Sequence, residues 1–363
     1  MKTRVSQERR GHRLGQPIEL LESRIAPATF SPLAATPDGD PDSLRDAITM
    51  ANANADDDII ELESGIYVLD LANVAGQENL NATGDLDLTD ADHTITFNGV
   101  AGETMIDQTA VDRVFHVFPG VTVIFNNVII TGGEAVDDGT EGALPGNTDG
   151  NGGGILNIGG AVTLMDSTVT LSSAAGEEAG EGGGGIYHDG GLLTLTNSVI
   201  TGNSATTGLG NGGGILVGPT GELSMTGGSI SGNQAARAGG GIENNGGTVT
   251  LETVALGGST AIEGNSAGIN GGGLHTSGGG TVTIIGGSVS NNVAGQEGGG
   301  LWNSSGGATR RMPLDGARPE DFALGAGGSW KPTREDGAGL AGLKWRAVES
   351  LRGGFSGVFG AIS

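Results

Sequence analysis

The chain of 363 residues contains no cysteine, and aromatic side chains make up only 4% of it. The lack of cysteine excludes disulfide bonds and thiolate chemistry. With so few large rings, the chain cannot fill one broad core as an ordinary globular domain does. No apolar run approaches the roughly 20 residues of a membrane-spanning helix, so we expect no transmembrane segment.

Basic residues are scarce over most of the chain. Between Phe30 and Ala308 there are three arginines against 33 Asp and Glu, which leaves a formal charge of −30. Nucleic acid and anionic membranes are poor partners for such a surface, and we expect no nucleic-acid binding. Ca²⁺ is compatible with it where several oxygen ligands converge, and we expect no other cofactor.

Glycine is abundant, with 73 residues, and it recurs in a pattern. A Gly triplet followed by Ile or Leu is repeated at intervals of 27 to 32 residues. The apolar residues that follow the triplets are Ile155, Ile186, Ile215, Ile242, Leu274 and Leu301. Such internal repetition is typical of proteins that bury their apolar surface between neighbouring units.

Each repeat contains two further short strand patterns, one of which ends three residues before an Asn. The second strand is exemplified by Val162 to Leu164, and the third by Ile200 with Asn203. Three short strands separated by Gly and Asn turns form one triangular coil, and stacked coils form parallel sheets. The sequence therefore predicts an all-β fold, a right-handed single-stranded parallel β-helix, in which stacked Asn side chains hydrogen-bond as a ladder.

The two ends of the chain differ from the repeats. Residues 1–29 are basic and are predicted to be a disordered leader or export segment. Residues 30–58 are predicted to be an N-terminal cap that contains a short helix over 42–53 with a capping residue after Pro41. Residues 59–307 should form about eight to nine coils. Residues 308–363 lose the repeat and are interpreted as a cap, a linker, or a truncated or frame-shifted end.

The N-terminal block and the repeats carry a family resemblance. Residues 43–48 read SLRDAI, and residues 152–157 and 239–244 read GGGI-x-N. In these features the chain resembles bacterial surface proteins with a pectin-lyase-like β-helix, an SLREAI-type opening and polymorphic outer-membrane-protein-like repeats. The resemblance implies export to the cell surface or the extracellular space, and it supplies no catalytic residues.

One lateral column is the predicted ligand face. If the residue after each Gly triplet points inward, the next residue points outward, and stacking aligns Tyr187, Glu243, His275 and Trp302. Aromatic rings on such a face can stack against sugar rings, although an ordinary scatter of surface residues is the simpler interpretation. The residues one position further on, from Asn157 to Asn303, should form an inner ladder.

Acidic residues in and directly after an early strand pattern over residues 85–88 are the candidate Ca²⁺ ligands, namely Asp85, Asp87, Asp90 and Asp92. The alternation of residues 85–88 places the leucines inside and the carboxylates outside, so a solvated strand face is the competing interpretation. Asp112 and Arg113 are expected to form a local ion pair at a turn. Ser266 fits a G-x-S-x-G pattern but belongs to a repeated turn sequence rather than to a strand-to-helix elbow.

These patterns favour an exported, non-catalytic β-helical scaffold of the cell surface, adhesive or structural, that contacts a glycan or another cell-envelope component. The alternative is a polysaccharide-binding or polysaccharide-degrading lyase or hydrolase. Hydrolysis requires two acids about 5 to 10 Å apart. Paired carboxylates beside a groove on the Tyr187 to Trp302 face would therefore favour the enzyme.

Overall fold

The computed structural model describes residues 27–73, 79–136, 150–176, 180–253, 260–304, 306–312, 329–334 and 343–348. The chain is a parallel β-helix, as its sequence predicts, and these residues contain one α-helix at the N-terminal end and four long, entirely parallel sheets. Strands that follow one another in a sheet are separated by a whole coil in the sequence. The repeat units therefore lie directly over one another.

Sheets A and B contain the second and third strand patterns. Sheet A consists of Ala28–Phe30, Asp58–Glu61, Thr94–Asn98, Thr122–Asn126, Ala161–Met165, Leu192–Thr196, Glu222–Thr226, Thr248–Glu252, Thr281–Ile285 and Ala308–Met312. Sheet B consists of Gly65–Leu69, Thr104–Gln108, Ile129–Thr131, Thr168–Thr170, Val199–Thr201, Ser229–Ser231, Ala261–Glu263 and Ser288–Ser290.

Sheet C contains the strands that follow the Gly triplets, together with two earlier strands in line with them. Its strands are Leu86–Leu88, Phe115–Val117, Ile155–Ile158, Ile186–Asp189, Ile215–Val217, Ile242–Asn245, Leu274–Ser277 and Leu301–Asn303. The remaining sheet, D, was not expected from the sequence. It consists of Glu134–Ala135, Ser173–Ala174, Ser204–Ala205, Gln234–Ala235, Ser266–Ala267 and Val293–Ala294.

The fourth strand of each coil arises where the sequence suggests only a turn. Ser266 and Ala267 pair in parallel with Gln234 and Ala235, and the Ala side chains are buried. Two residues are too few to show an alternating pattern, so periodicity alone cannot identify such a strand. Ser266 is thus part of a parallel sheet, and it lacks the strand-to-helix elbow that a nucleophile of this pattern requires.

Apolar side chains at alternate positions of the strands fill most of the narrow interior. Near the N-terminal end, three phenylalanines pack together, with Phe97 stacked on Phe125 at a centroid distance of 4.8 Å and Phe115 at 4.9 Å from Phe125. Further along, aliphatic residues such as Leu164 and Leu195 occupy the positions in register with Phe125. All of these side chains are buried.

The predicted ladder of asparagines is confirmed. Asn203 Nδ2 donates to Asn233 Oδ1 (3.1 Å), Asn233 Nδ2 donates to Asn265 Oδ1 (3.0 Å), and Asn265 Nδ2 donates to Asn292 Oδ1 (2.9 Å). Each Oδ1 also accepts the backbone N–H of the Asn one coil before it. All four side chains are buried, so the ladder satisfies polar groups at the bend between sheets B and D.

The α-helix, α1, spans Leu44–Ala53 and lies against the first strand of sheet C. Its N-cap is Ser43, whose Oγ accepts the N–H of Asp46. Asn52 Nδ2 donates to the Asp87 carbonyl (2.7 Å), and its Oδ1 accepts from the Thr89 N–H (2.9 Å). Asn52 therefore forms hydrogen bonds with backbone groups that would otherwise be unpaired at the open edge of the sheet.

Arg45 completes this closure of the N-terminal end. Its guanidinium donates to the carbonyls of Gly84 and Asp85, both at 2.7 Å, and pairs with the Asp38 carboxylate at 2.8 Å. The Arg45 and Asp38 side chains are both buried. Buried charges require a partner, and here each charge has one while the edge carbonyls gain donors.

At the C-terminal end, sheet A continues beyond the position where the sequence pattern changes. The strand Ala308–Met312 pairs in parallel with Thr281–Ile285, in the register that the preceding coils share. Two further strands, Ser329–Arg334 and Leu343–Val348, pair with each other in an antiparallel arrangement. Residues 1–26 of the leader predicted over 1–29 and most of the tail lie outside the described residues, whereas residues 28 and 29 belong to the first strand of sheet A and are not disordered.

Candidate functional site

The predicted lateral column exists as a register but is mostly covered. Strand pairing in sheet C aligns Leu156, Tyr187, Leu216, Glu243, His275 and Trp302 in this order. Glu243 and His275 are only 3% and 5% exposed, and Leu156 and Leu216 are buried as well. Tyr187 and Trp302 are partly exposed. The expectation of an open, outward face is therefore wrong for the middle of the column.

The Gly triplets themselves cover the column. Gly239 has a φ of +64°, and a Cβ built on it would lie 2.4 Å from the Ile242 carbonyl oxygen and 2.6 Å from the Glu243 Cα. The first glycine of the other triplets is in the same conformation. Each triplet thus turns its backbone tightly over the residue four positions later, which only glycine permits. The turn segments also pair from coil to coil, for example Ala238 with Asn270.

The polar part of the column is a compact hydrogen-bonded group. His275 Nδ1 lies 2.6 Å from Glu243 Oε2, and Ser277 Oγ donates to Glu243 Oε1 at 2.6 Å. His275 Nε2 has no hydrogen-bond partner among the described residues. A carboxylate that binds Nδ1 orients the ring and leaves Nε2 available as a base or a ligand atom. Glu243 is the one carboxylate of the six aligned positions.

Tyr187 lies beside two acidic residues of its own coil. Burial raises the pKa of its hydroxyl to about 12, and the charges of Asp189 and Glu181 add to this effect. The phenol therefore stays protonated over the physiological range and acts as a hydrogen-bond donor and an apolar ring. These properties suit sugar contact, but the turn glycines limit the exposed part of the ring.

The inward position predicted for the next residue along each sheet C strand is confirmed by burial from Asn157 to Thr276, whereas Asn303 is only partly buried. Asn157, His188, Asn244 and Thr276 are all fully buried. Asn157 Nδ2 lies 2.9 Å from His188 Nδ1, and His188 Nε2 lies 3.1 Å from the Glu222 carbonyl oxygen. These contacts fit a neutral ring that carries its proton on Nε2. Burial lowers the pKa of His188 to about 4, which agrees with that state.

The four candidate Ca²⁺ ligands do not form one group. Asp90 accepts the Asp92 N–H and lies 3.0 Å from His93 Nδ1 at a turn, where Asp92 is exposed. Asp85 and Asp87 are 2% and 0% exposed. Their expected position on a solvated strand face is therefore wrong, because helix α1 and the segment around Asn81 cover that side of the strand.

Asp85 and Asp87 belong to a buried polar cluster with residues of the next coil. Arg113 Nη1 lies 3.2 Å from Asp85 Oδ2, and Asp112 Oδ2 accepts the Asp85 N–H at 3.2 Å. Arg113 is therefore buried and links two coils, and its backbone N–H also donates to Asp112 Oδ1 at 2.8 Å. Burial raises the pKa of the Asp85 carboxyl well above its ordinary value, and it raises that of Asp112.

His116 is the member of this cluster that the sequence patterns did not single out. It is fully buried, it pairs in register with Asp87, and its ring lies over Phe118 at a centroid distance of 4.0 Å. Burial, followed by the charge of Arg113, lowers the pKa of His116 to about 3. The available signal was the register: aligning Leu86 with Phe115 brings Asp87 beside His116.

A shallow depression of about 250 Å³ lies over sheet D, between Glu134, Ser173, Ser204 and Thr207. Its lining contains hydroxyl side chains and one carboxylate, that of Glu134. Glycoside hydrolysis requires two carboxyl groups on either side of the scissile bond, and this lining supplies one of them.

Within the described residues, no helix has the length and apolarity that a membrane crossing requires. Comparison of the chain with protein-family models, with curated proteins and with solved structures gave no match in any of the three cases.

Proposed function

We propose that the chain is an exported β-helical scaffold that presents long lateral surfaces for adhesion or for the architecture of the cell envelope. The resemblance of its SLRDAI segment and GGGI-x-N repeats to bacterial surface proteins supports export. The fold supports the scaffold role, because its stability comes from contacts between neighbouring coils and its faces extend without interruption.

The observation that carries the proposal is the unbroken register of the outward residues of sheet A. Successive strands place small hydroxyl side chains in one half-buried row. The row runs through Thr163, Thr194, Ser224, Thr250 and Thr283. Strands of a sheet are spaced about 4.8 Å apart, so the row presents hydroxyls at a regular interval along the rod. Such a surface suits hydrogen bonding to a repeating, hydroxyl-rich polymer.

The sheet C column favours the scaffold over a polysaccharide hydrolase. A glycosidase of the usual kind requires two carboxyl groups on either side of the scissile bond. The column contains Glu243 alone, and both of its oxygens are engaged by His275 and Ser277. The surrounding glycine turns leave Glu243 only 3% exposed, which is too little for contact with a polymer chain.

A glycan array, run with and without Ca²⁺ and combined with a reducing-sugar assay on the same polysaccharides, tests the proposal. We expect retention on a cell-envelope or extracellular polysaccharide without release of reducing ends. Release of reducing ends by the purified chain would overturn the scaffold function in favour of the degrading enzyme. Failure to bind any envelope component would overturn the adhesive role.

Two matched double variants locate the binding face. Thr194→Val with Thr250→Val removes two hydroxyls of the sheet A row and conserves side-chain shape. Thr170→Val with Thr201→Val makes the same change on the outward side of sheet B. We expect the sheet A variant to lose at least about tenfold in affinity, since each of two hydrogen bonds is worth about 1 kcal/mol. Equal losses in the two variants would contradict the assignment of sheet A.

A further inference from the structure

Three potential metal ligands meet at the N-terminal end of sheet C. Ligand atoms of Asp85, Asp87 and His116 all lie within 4.8 Å of one another. The three side chains are 2%, 0% and 0% exposed, respectively. Asp85 directly precedes the first strand of the sheet, Asp87 lies within that strand, and His116 lies in the second strand, directly beside Asp87. The group therefore joins two successive coils.

His116 supplies an observation that is independent of the carboxylates. Its two ring nitrogens are buried, and neither has a hydrogen-bond partner among the described residues. The backbone nonetheless directs the ring at the carboxylates, with Nδ1 3.5 Å from Asp87 Oδ1. Leaving a buried polar atom without a partner costs about 1–3 kcal/mol, so native structures rarely do so without a compensating ligand.

The charge of the cluster points to a cation. When all three carboxyls are ionised, Asp85, Asp87 and Asp112 bring three negative charges and Arg113 brings one positive charge, which leaves a formal charge of −2 in a buried volume. The other arginine at this end, Arg45, is paired with Asp38. Buried charges are normally paired or bound to a metal, and one divalent cation neutralises a charge of −2.

The ligand types select the class of cation. Ca²⁺ and Mg²⁺ take oxygen ligands, whereas an imidazole nitrogen with two carboxylates suits Zn²⁺ and related transition ions. Ligand atoms at Zn²⁺ distances in a tetrahedral site are about 3.4 Å apart, close to the separation of His116 Nδ1 and Asp87 Oδ1. We propose that Asp85, Asp87 and His116 bind one divalent transition-metal ion, for which Zn²⁺ is the probe.

The groups around the ligands are arranged as supports. Asn81 donates its N–H to Asp87 Oδ2 at 2.8 Å, and Arg113 holds one oxygen of Asp85. Such hydrogen bonds orient carboxylate ligands and fix a site in advance of binding. The location beneath helix α1, deep in the cap, assigns the ion a structural role. It ties the first coil of sheet C to the second and so secures the closed end.

Metal binding to the full-length chain tests the proposal. After treatment with EDTA and dialysis, the chain is titrated with Zn²⁺ by calorimetry, and bound metal is measured by elemental analysis. We expect one equivalent of Zn²⁺ per chain and weaker binding of Ca²⁺ by at least tenfold. At a Zn²⁺ concentration of 100 times Kd, we expect the apparent Tm to rise by roughly 5 °C. Hydrogen exchange should slow in the segments around Asp87 and His116.

Two variants and one control identify the ligands. His116→Phe conserves the stacking on Phe118 but removes the nitrogen ligand, and Asp87→Asn conserves an acceptor for Asn81 but removes the charge. Both should lose stoichiometric Zn²⁺ binding. His93→Gln alters the other His-carboxylate contact near this end and should leave binding unchanged.

The outcomes separate cleanly even where a variant fails to fold. Absence of a stoichiometric Zn²⁺ complex in the parent chain overturns the proposal without recourse to any variant. Preference for Ca²⁺ over Zn²⁺ overturns the role of the imidazole. Zn²⁺ binding that persists in His116→Phe, or that is lost in His93→Gln, places the ion elsewhere. The scaffold function is tested by glycan retention and is independent of these results.

Discussion

Replacement of Asn233 by Ala tests whether the buried asparagine ladder stabilises the coil stack. Asn233 Oδ1 accepts two hydrogen bonds from Asn203, from the backbone N–H at 2.9 Å and from Nδ2 at 3.1 Å. Its Nδ2 donates to the Ile200 carbonyl at 2.9 Å and to Asn265 Oδ1 at 3.0 Å. The substitution removes all four bonds at once.

The expected cost follows from the groups left without partners. The backbone N–H and one side-chain N–H of Asn203 lose their acceptor, and the Ile200 carbonyl loses a donor. Each such buried group costs about 1–3 kcal/mol, and coupled losses add incompletely. We therefore expect Asn233→Ala to reduce the free energy of unfolding by about 3–6 kcal/mol, measured by urea denaturation followed by circular dichroism.

Asn126→Ala is the matched control. Asn126 donates to Asn98 Oδ1 at 2.9 Å in a partly exposed pair on the outside of sheet A, where water can replace the lost bond. This variant should lose less than about 1 kcal/mol. Hydrogen exchange gives a second readout, because the Asn203 amide should exchange faster in Asn233→Ala only. Equal losses of stability in the two variants would refute the role assigned to the ladder.

Three further predictions concern the cap, the triplet turns and the inner ladder. Arg45→Lys should reduce the free energy of unfolding by about 2–4 kcal/mol, since one ammonium cannot replace the forked contacts of the guanidinium to Asp38 and two carbonyls. An unchanged urea midpoint would contradict the role of Arg45 in closing the N-terminal end. Gly239→Ala and Gly264→Ala both place Ala at a φ of +64°, but only the Ala at position 239 brings its Cβ into collision with backbone atoms. Gly264→Ala should reduce the free energy of unfolding by roughly 1 kcal/mol, and Gly239→Ala by at least about 2 kcal/mol more. Similar urea midpoints for the two variants would be evidence against a tight turn. Burial lowers the folded pKa of His188 from 6.5 to about 4, so the unfolded chain binds the proton first and stability falls as the pH drops from about 6.5 to about 4. Between pH 7 and pH 4.5, the free energy of unfolding should therefore fall by about 2–3 kcal/mol less in His188→Asn than in the parent chain. Parallel plots of stability against pH would show that the ring is not held neutral.

The register of the coils could be predicted from the sequence because it depends on local features. A Gly triplet followed by an apolar residue, as at Ile155 and Ile186, marks the start of each sheet C strand, and these residues are paired in the structure. The Asn after the third strand gave the ladder in the same way. Both signals repeat at every coil, so each copy supports the others.

Exposure could not be predicted by the same reasoning. The alternation along a strand predicts which side chains point away from the interior. Those side chains are exposed only if no other segment of the chain covers them. The turns formed by the Gly triplets cover Glu243 and His275, and the N-terminal cap covers Asp85 and Asp87. These contacts join residues of different coils or of the non-repeating end, which no periodic pattern records.

The asparagine ladder has a direction, because each side-chain amide donates to the coil that follows it. Every rung presents the same donor and the same acceptor to its neighbours, so any rung can be exchanged for another. Excision of the unit that contains Asn233 would place Asn203 against Asn265, with the hydrogen bonds unchanged in kind. Rods of different length can thus evolve by gain or loss of whole coils, without any new side chain at the junction.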